Sequence, residues 1–329
     1  MNICIVGGGN LTHALVAIIG SNPEFKVSVL SNSFKNTKSI KGILPNGKKL
    51  IGNVDYISND PALLIPKSDV VLITVPAFAR KTTLIKLKKY IDRNCIIGAL
   101  PGIAGFDEEM DKVFDGTPPK FFSAQRVPCI ARIIKNNKSV DISLKEEMYI
   151  ATNDRTIKPT IEKLFNININ LLNDFLEVNL SNSNPLLHSA RIYQILKTNP
   201  NILIDGLNAP LPFYESWDNY SSKTLIQMDN EFMSLVNKLE LKNIKSLYEH
   251  YGVENASEMT MKLSNIAAFK GIKLPMINVN NKYYLDLNSR YFTEDVDIGL
   301  NYILEKLRSN NLDCSSIESV YNKLVSIRA

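Results

Sequence analysis

The sequence predicts an α/β fold: a doubly wound parallel sheet followed by a second, all-helical domain. Three observations predict it. A short apolar run, Ile3 to Val6, enters the glycine cluster Gly7-Gly8-Gly9, and an apolar helical pattern, Leu11 to Ile19, leaves it. Strand signals of the fully buried kind then alternate with helical ones through the first half of the chain. From about Asp174 onward, long helical periodicities dominate and few strand signals remain. At 329 residues the chain exceeds ordinary single-domain size, so it divides into an N-terminal domain over 1–173 and a helical one over 174–329.

The elements follow in order. Lys26 to Leu30 reads as a second strand. Asp69 to Val75 is apolar and β-branched, as a strand covered on both faces must be, and Pro76 stops it. Lys81 to Ile91 reads as an amphipathic helix, and Cys95 to Leu100 as another buried strand running into Pro101-Gly102-Ile103-Ala104-Gly105. Phe121 to Ala124 is a further strand. Arg132 to Asn173 holds more strands and one helix, Ile157 to Phe165, and completes the domain. Helical periodicity then covers Asn182 to Ile195, Ser222 to Leu239, Ile244 to Tyr251, Ala256 to Asn265 and Val296 to Asn310.

Composition narrows the function classes. Apolar residues make up 45%, enough for a sizeable core, and the net charge of +5 is mild. The lysines are scattered among 33 acidic residues with no basic stripe interleaved with aromatics, which argues against a nucleic-acid partner. Cys4, Cys95, Cys129 and Cys314 are far apart, without a Cys-x-x-Cys pair, so neither a metal site nor a redox dithiol is indicated. Few, unpatterned cysteines suit a reducing cytoplasm. The N-terminal apolar segment lacks a basic leader and is interrupted by glycines, unlike a signal peptide. No run of about 20 apolar residues is present to span a membrane.

Strand, glycine turn and helix together form a dinucleotide cradle of the Rossmann type. Backbone N–H groups at such a helix start bind a pyrophosphate, and the helix dipole favours its charge. Gly7, Gly9, Asn10 and Leu11 are therefore candidate cofactor residues, with Thr12 standing where a third glycine is usual. The second strand ends in Leu30-Ser31-Asn32-Ser33, about 20 residues past the turn, where an Asp or Glu ordinarily binds the ribose of NAD. Ser31 and Asn32 bring no carboxylate to repel a 2′-phosphate, and Lys35 and Lys38 follow, so NADP(H) is slightly favoured over NAD(H). The alternative is that both lysines are ordinary loop residues. Val75, Pro76 and Ala77, at the end of a central strand, complete the cofactor set by topology.

The chain has three histidines. His13 sits on the first helix, where a structural role is expected. His250, in Tyr-Glu-His-Tyr-Gly, suits a surface position at a helix end. His188 follows Asn182-Ser183-Asn184-Pro185-Leu186-Leu187 near a helix start, and reads either as a cleft residue or as a satisfied buried histidine. Near the other end, Arg290-Tyr291-Phe292-Thr293-Glu294-Asp295 offers a guanidinium fork for a carboxylate and, in Asp295, a carboxylate to orient a histidine and stabilise its imidazolium. The same stretch also reads as a helix start, with Thr293 as N-cap and the acids favouring the dipole. Tyr214, Trp217 and Gln227 are candidates for contacting a substrate, with a packing role the alternative.

These segments, with Gly7 to Ala14 and Gln125-Arg126-Val127-Pro128, carry a resemblance over nearly the whole chain to the octopine/nopaline (opine) dehydrogenase family. The resemblance implies a Rossmann domain followed by an all-helical domain like the C-terminal one of 6-phosphogluconate dehydrogenase, with the active site in the cleft between them. It implies that His188 is the acid/base, Asp295 its partner and Arg290 the anchor for a keto-acid carboxylate. The implied reaction is reductive condensation of an amino acid with a 2-keto acid at the expense of NAD(P)H. Thr12, and the lack of arginines after the second strand, depart from the family pattern. Two other readings remain. One is a 2-keto acid or 2-hydroxy acid reductase of the ketopantoate reductase type, which resembles this plan but uses a helical-domain lysine. The other is a non-enzymatic dinucleotide sensor. Related folds form dimers through the helical domain, and a homodimer is compatible with the sequence.

Overall fold

A computed structural model describes residues 1–328, which fall into two compact units, the first ending at Ser181 and the second beginning at Asn182. The first unit opens with β1 (Asn2–Val6), whose Ile3, Cys4 and Ile5 are fully buried. Helix α1 (Asn10–Ile19) follows, and all but one of its residues from Thr12 onward are buried. That is the signature of a helix covered on both sides rather than of a surface helix. One cover is the main sheet. The other is a second sheet, which begins with the hairpin β3 (Ser39–Ile43) and β4 (Lys49–Asn53), after β2 (Lys26–Leu30). At Gly52 the hairpin lies so close to α1 that a Cβ would come within 1.9 Å of the Val16 carbonyl oxygen.

The chain continues through β5 (Tyr56–Ser58), α2 (Pro61–Leu64), β6 (Val70–Ile73), α3 (Ala77–Leu87), β7 (Ile96–Ala99), α4 (Phe106–Val113) and β8 (Phe121–Ala124). Then come β9 (Cys129–Lys135), β10 (Ser139–Leu144), β11 (Glu147–Thr152), α5 (Lys158–Phe165), β12 (Asn168–Leu171) and α6 (Leu176–Asn179). Eight strands form the main sheet in the order β12-β11-β8-β7-β6-β1-β2-β5, with every pair parallel except β8 with β11. From β1 the chain steps outward to β2 and β5, then crosses over to β6, β7 and β8. The switch point between β1 and β6 is where such sheets bind ligands, beyond the carboxyl ends of the strands. Period-2 alternation sends Ile3 and Ile5 into one core with Leu15 and Val16 of α1, and Cys4 and Val6 into another with Leu84 and Phe106.

Three differences from the sequence reading have local causes. The second sheet, β4-β3-β10-β9, includes a hairpin that was not expected between Ser31 and Ser68; its turn signal is Asn46-Gly47, with Gly47 at φ +80°. Helix α3 starts at Ala77 rather than Lys81, directly after Pro76, whose fixed φ suits a helix entry. The first unit extends past Asn173 because α6 belongs to it. The Asn179 side chain accepts from Gly105 N (3.0 Å) and donates to Asp107 (2.7 Å), while Phe175 stacks on Phe121.

The second unit is built on α7 (Asn184–Thr198), α8 (Asn219–Lys238), α9 (Leu247–Tyr251) and α10 (Ala256–Asn265). A two-stranded hairpin, β13 (Met276–Val279) and β14 (Lys282–Leu285), interrupts the helical series. Both residues of its turn, Asn280 and Asn281, have positive φ, as a tight hairpin of matching twist requires. A wide π-helix over Tyr291–Leu300 leads into α11 (Asn301–Ser309), and α12 (Ser315–Ser326) ends the described chain. The expected helix Val296 to Asn310 is thus two elements of different pitch. Among the described residues no helix is long and apolar enough to cross a membrane.

Candidate active site

Each unit carries one set of residues suited to chemistry. In the first, β1 runs into the glycine turn, and the three glycines have different reasons to be there. Gly7 has φ +138°, and a Cβ on it would meet the Thr74 hydroxyl at 2.3 Å. A Cβ on Gly8 would meet the hydroxyls of Ser33 (2.1 Å) and Ser31 (2.6 Å), at the end of β2. Around Gly9 nothing lies within 4 Å of that position, so space is open over the start of α1. Gly9 is the N-cap of α1, no side chain caps the helix, and its first turn has no acid. An uncapped, acid-free helix start facing open space fits the pyrophosphate of a dinucleotide.

Thr12 replaces the third glycine with a bond rather than a gap. Thr74 Oγ1 donates to the Val6 carbonyl (2.9 Å), which leaves the Thr12 hydroxyl to donate to Thr74 Oγ1 (2.9 Å). The helix is thereby tied to the ends of β1 and β6 at the switch point. Leu11 is half-buried against the first core. Asn10 accepts from Ile133 N of β9 (2.8 Å), so its side chain is engaged with the second sheet. His13 is fully buried. Nδ1–H donates to the Gly9 carbonyl (2.8 Å) and Nε2 accepts from Asn137 N (3.1 Å), which defines a neutral ring. Burial pushes its pKa down further, and its role is structural.

Ser31 Oγ accepts from the backbone of Ser33 (3.2 Å) and Phe34 (3.3 Å), shaping the turn after β2, while Asn32, Lys35 and Lys38 are exposed. Val75 and Ala77 are half-buried and Pro76 exposed after β6. The sequence reading missed Arg80. This buried side chain pairs with Glu109 (3.1 Å) and donates to the Ile103 carbonyl (2.6 Å), fastening the loop after β7. Arg80 falls just before the helix as the sequence reads it, and a lone arginine there gives no signal of burial.

In the second unit, His188 lies in the second turn of α7, 6% exposed. Nδ1 is 2.8 Å from the Asp295 carboxylate, on the π-helix. A carboxylate only accepts, so Nδ1 carries the hydrogen and Nε2 of the neutral ring is an acceptor. Tyr214 supplies the matching donor, its hydroxyl donating to Nε2 at 2.9 Å. Tyr291 covers the ring face, stacked at 4.0 Å, and Phe213 meets it edge-on at 5.5 Å. The close approach of α7 and the π-helix depends on Gly299: a Cβ there would come within 2.3 Å of the Pro185 ring.

The stretch 290–297 is not a capped α-helix. Thr293 lies inside the π-helix and donates to the Ser289 carbonyl (3.2 Å), and Arg290 is the N-cap residue, which corrects the reading of Thr293 as cap. Glu294 does lie in the first turn, and each acid also makes a specific bond: Glu294 with Arg290, Asp295 with His188 and Asp297 with Arg328. Arg290 is largely exposed, its Nε 2.8 Å from Glu294.

Tyr214 and Trp217 stand on the loop between α7 and α8. Tyr214 is sandwiched between Phe269 (4.1 Å) and, at 6.0 Å, Trp217, whose indole N–H donates to Ser222 (3.0 Å). Burial pushes the Tyr214 phenol pKa up, and burial with the Asp295 charge raises that of Tyr291 to about 12. The loop is held by Arg191, one turn beyond His188 and 4% exposed. It donates to the Phe213 carbonyl, Asp218 (2.5 Å), Ser221 (3.0 Å) and both oxygens of Ser216. Gln227 is on the exposed face of α8 and makes none of the contacts that build this cluster. His250 is exposed on α9.

Comparison with known proteins follows the same lines. Residues 171–326 match the family model of the NAD/NADP octopine/nopaline dehydrogenase α-helical domain. The tauropine dehydrogenase of Arabella iricolor is 24% identical over 91% of this chain and 84% of its own length. The octopine dehydrogenase of Mizuhopecten yessoensis is also 24% identical, over 91% of this chain and 83% of its own. The structure of an octopine dehydrogenase with NADH and L-arginine superposes with a TM-score of 0.85 at 20% identity, covering 98% of this chain and 88% of that one.

Proposed function

We propose, for a chain that belongs to the octopine/nopaline dehydrogenase family, the reductive condensation of an amino acid with a 2-keto acid to an N-(carboxyalkyl) amino acid. The chain is an NAD(P)-dependent oxidoreductase. The observation that carries the more specific reading is the hydrogen-bonded row Asp295, His188, Tyr214, a proton-handling group built inside the helical half. Attack of an amine on the keto carbon gives a carbinolamine, which must lose water before it can be reduced. That loss needs a proton at the departing hydroxyl. His188 holds one at Nε2 when charged, and Asp295 stabilises the imidazolium through Nδ1–H while fixing the ring's orientation. A cofactor held by its pyrophosphate at the glycine turn would supply the hydride from its dihydronicotinamide. The uncapped start of α1 binds the pyrophosphate, and Gly9 leaves the room for it.

Arg290 is assigned the keto-acid carboxylate. Its present partner, Glu294, is exchanged for the substrate, which a largely exposed guanidinium can do at little cost. Arg290→Ala raises the KM for the keto acid by about tenfold or more, the worth of a charge-assisted hydrogen bond, and leaves the amino-acid KM nearly unchanged. Equal increases in both would remove the anchor role. Trp217 and Tyr214 are assigned to the substrate side, and Gln227 is assigned there from the exposed face of α8.

NADP(H) over NAD(H) rests on Ser31 and Asn32 in place of a carboxylate, with Lys35 and Lys38 exposed nearby in sequence. Asn32→Asp weakens NADPH relative to NADH by about tenfold, through like-charge repulsion of the 2′-phosphate. Dissociation constants from cofactor fluorescence check this, and an unchanged ratio overturns the preference. A cytoplasmic location fits the free, mostly buried cysteines.

The reaction itself is tested by oxidation of NADH and NADPH with 2-keto acids crossed against amino acids, the secondary amine being read by mass spectrometry. Oxidation that needs both substrates supports the reading. Oxidation with keto acid alone, at a rate indifferent to amine, would make the protein a simple keto-acid reductase.

A further inference from the structure

We propose that the Tyr214 hydroxyl is the group that passes the proton between His188 and the reacting oxygen of the substrate, so that the acid of this site is a histidine–tyrosine relay. The inference rests on the condensation reading above and deepens it. Both ring nitrogens of His188 are engaged: Nδ1 by Asp295 at 2.8 Å and Nε2 by Tyr214 at 2.9 Å. One ring face is closed by Tyr291 at 4.0 Å and one edge by Phe213. A substrate oxygen therefore has no vacant nitrogen to meet. It must either displace the Tyr214 hydroxyl or receive its proton through it.

The packing around Tyr214 decides between the two. Its ring is 4% exposed, stacked on Phe269 and parallel to Trp217, with Phe213 edge-on at 4.9 Å. The loop that carries it is clamped by Arg191 on both sides, at Phe213 and at Ser216. A hydroxyl held at both the ring and the backbone is a fixed relay rather than a movable plug. Proton balance is simple. In the imidazolium form Nε2–H donates to Tyr214 Oη, whose own hydrogen is then free to point at the carbinolamine hydroxyl. As the C–O bond breaks, the amine lone pair closes the C=N bond of the iminium, which takes up the positive charge, and that hydrogen moves to the departing oxygen, which leaves as water. The Nε2 proton moves to Oη, and the N–H bond pair stays on Nε2. Tyr214 ends as it began, a neutral phenol, and His188 ends neutral with Asp295 still bonded to Nδ1. No phenolate is formed, in keeping with the burial that holds the phenol protonated.

Tyr214→Phe keeps the aromatic stack and removes only the hydroxyl. With the substrate pair found in the cross-screen, kcat falls by about a hundredfold, both substrate KM values stay within a few-fold and the affinity for NADPH is unchanged. The proton inventory of kcat in H2O/D2O mixtures changes from the curved form of two protons in flight to a straight line. Turnover within threefold of the parent, with an unaltered inventory, overturns the relay. So does an increase in turnover, which would make the hydroxyl an obstruction. If the parent protein has no amine-dependent turnover, the condensation reading fails and the relay is judged separately by 15N NMR of histidine-labelled protein. The His188 Nε2 resonance must then shift on Tyr214→Phe. An identical resonance in the two proteins overturns the proposal.

Discussion

His188→Asn leaves a folded protein that binds NADPH as tightly as the parent and turns over about a thousandfold more slowly or worse. Asparagine is the choice because its amide N–H can replace Nδ1–H opposite Asp295. Alanine would leave a carboxylate, 7% exposed, with its only ring partner removed, and mix a folding defect into the result. Cofactor affinity is expected to hold because the glycine turn belongs to the other compact unit. Single-turnover kinetics at saturating substrates measure the loss. Activity within tenfold of the parent would mean that His188 is a packing histidine, the bland alternative its sequence context left open.

Arg191→Met has the largest expected effect on stability. The guanidinium is 4% exposed and donates to a carboxylate, two hydroxyls and two backbone carbonyls. Methionine keeps the unbranched stem but removes every one of these donors, while Asp218, half open to solvent, retains its bond from Ser221 N (2.7 Å). Leaving the enclosed carbonyl and hydroxyl acceptors of the loop without this donor costs about 1–3 kcal/mol, or a drop in Tm on the order of 5 °C for a unit of this size. Trp217 is the only tryptophan in the chain and lies within 5.7 Å of the Arg191 guanidinium, so its fluorescence reports this loop alone. Emission moves to the red as the loop loosens, and activity falls with it because Tyr214 shares the loop. Arg191→Lys gives little rescue, since one ammonium cannot reach acceptors that a planar fork spans. Unchanged emission together with a Tm within 2 °C of the parent (roughly the shift expected from under 1 kcal/mol) would show the clamp to be dispensable.

Strands and helices were legible where pattern and boundary coincide. Lys26–Leu30, Phe121–Ala124 and Ala256–Asn265 lie where the sequence places them, each a periodic run between breakers. Both hairpins were overlooked, although Asn46-Gly47 and Asn280-Asn281 are turn signals, because their strands are short and half-polar: Lys49–Asn53 has a single buried residue. Helix α12 was also overlooked despite Ile317, Val320 and Leu324 on one face. The site divides differently. His188 and Asp295 are 107 residues apart, and no spacing rule joins them; the family resemblance suggested the pair that the side chains make. Tyr214 was read as a substrate contact, and its bond to Nε2 depends on a loop whose course is set by Arg191, a residue with no sequence signal of its own. Thr293 was misread as a cap because composition does not announce a π-helix.

Gly299 touches no reacting group, yet a single carbon added there would have to be accommodated against the rigid ring of Pro185. The 2.8 Å separation of His188 from Asp295 spans the same two helices, so any widening between them lengthens it. A census of inactivating substitutions in this chain would therefore return a glycine beside its acid and its base. The tolerance of the site to sequence drift is governed as much by helix spacing as by the identity of the groups that handle protons.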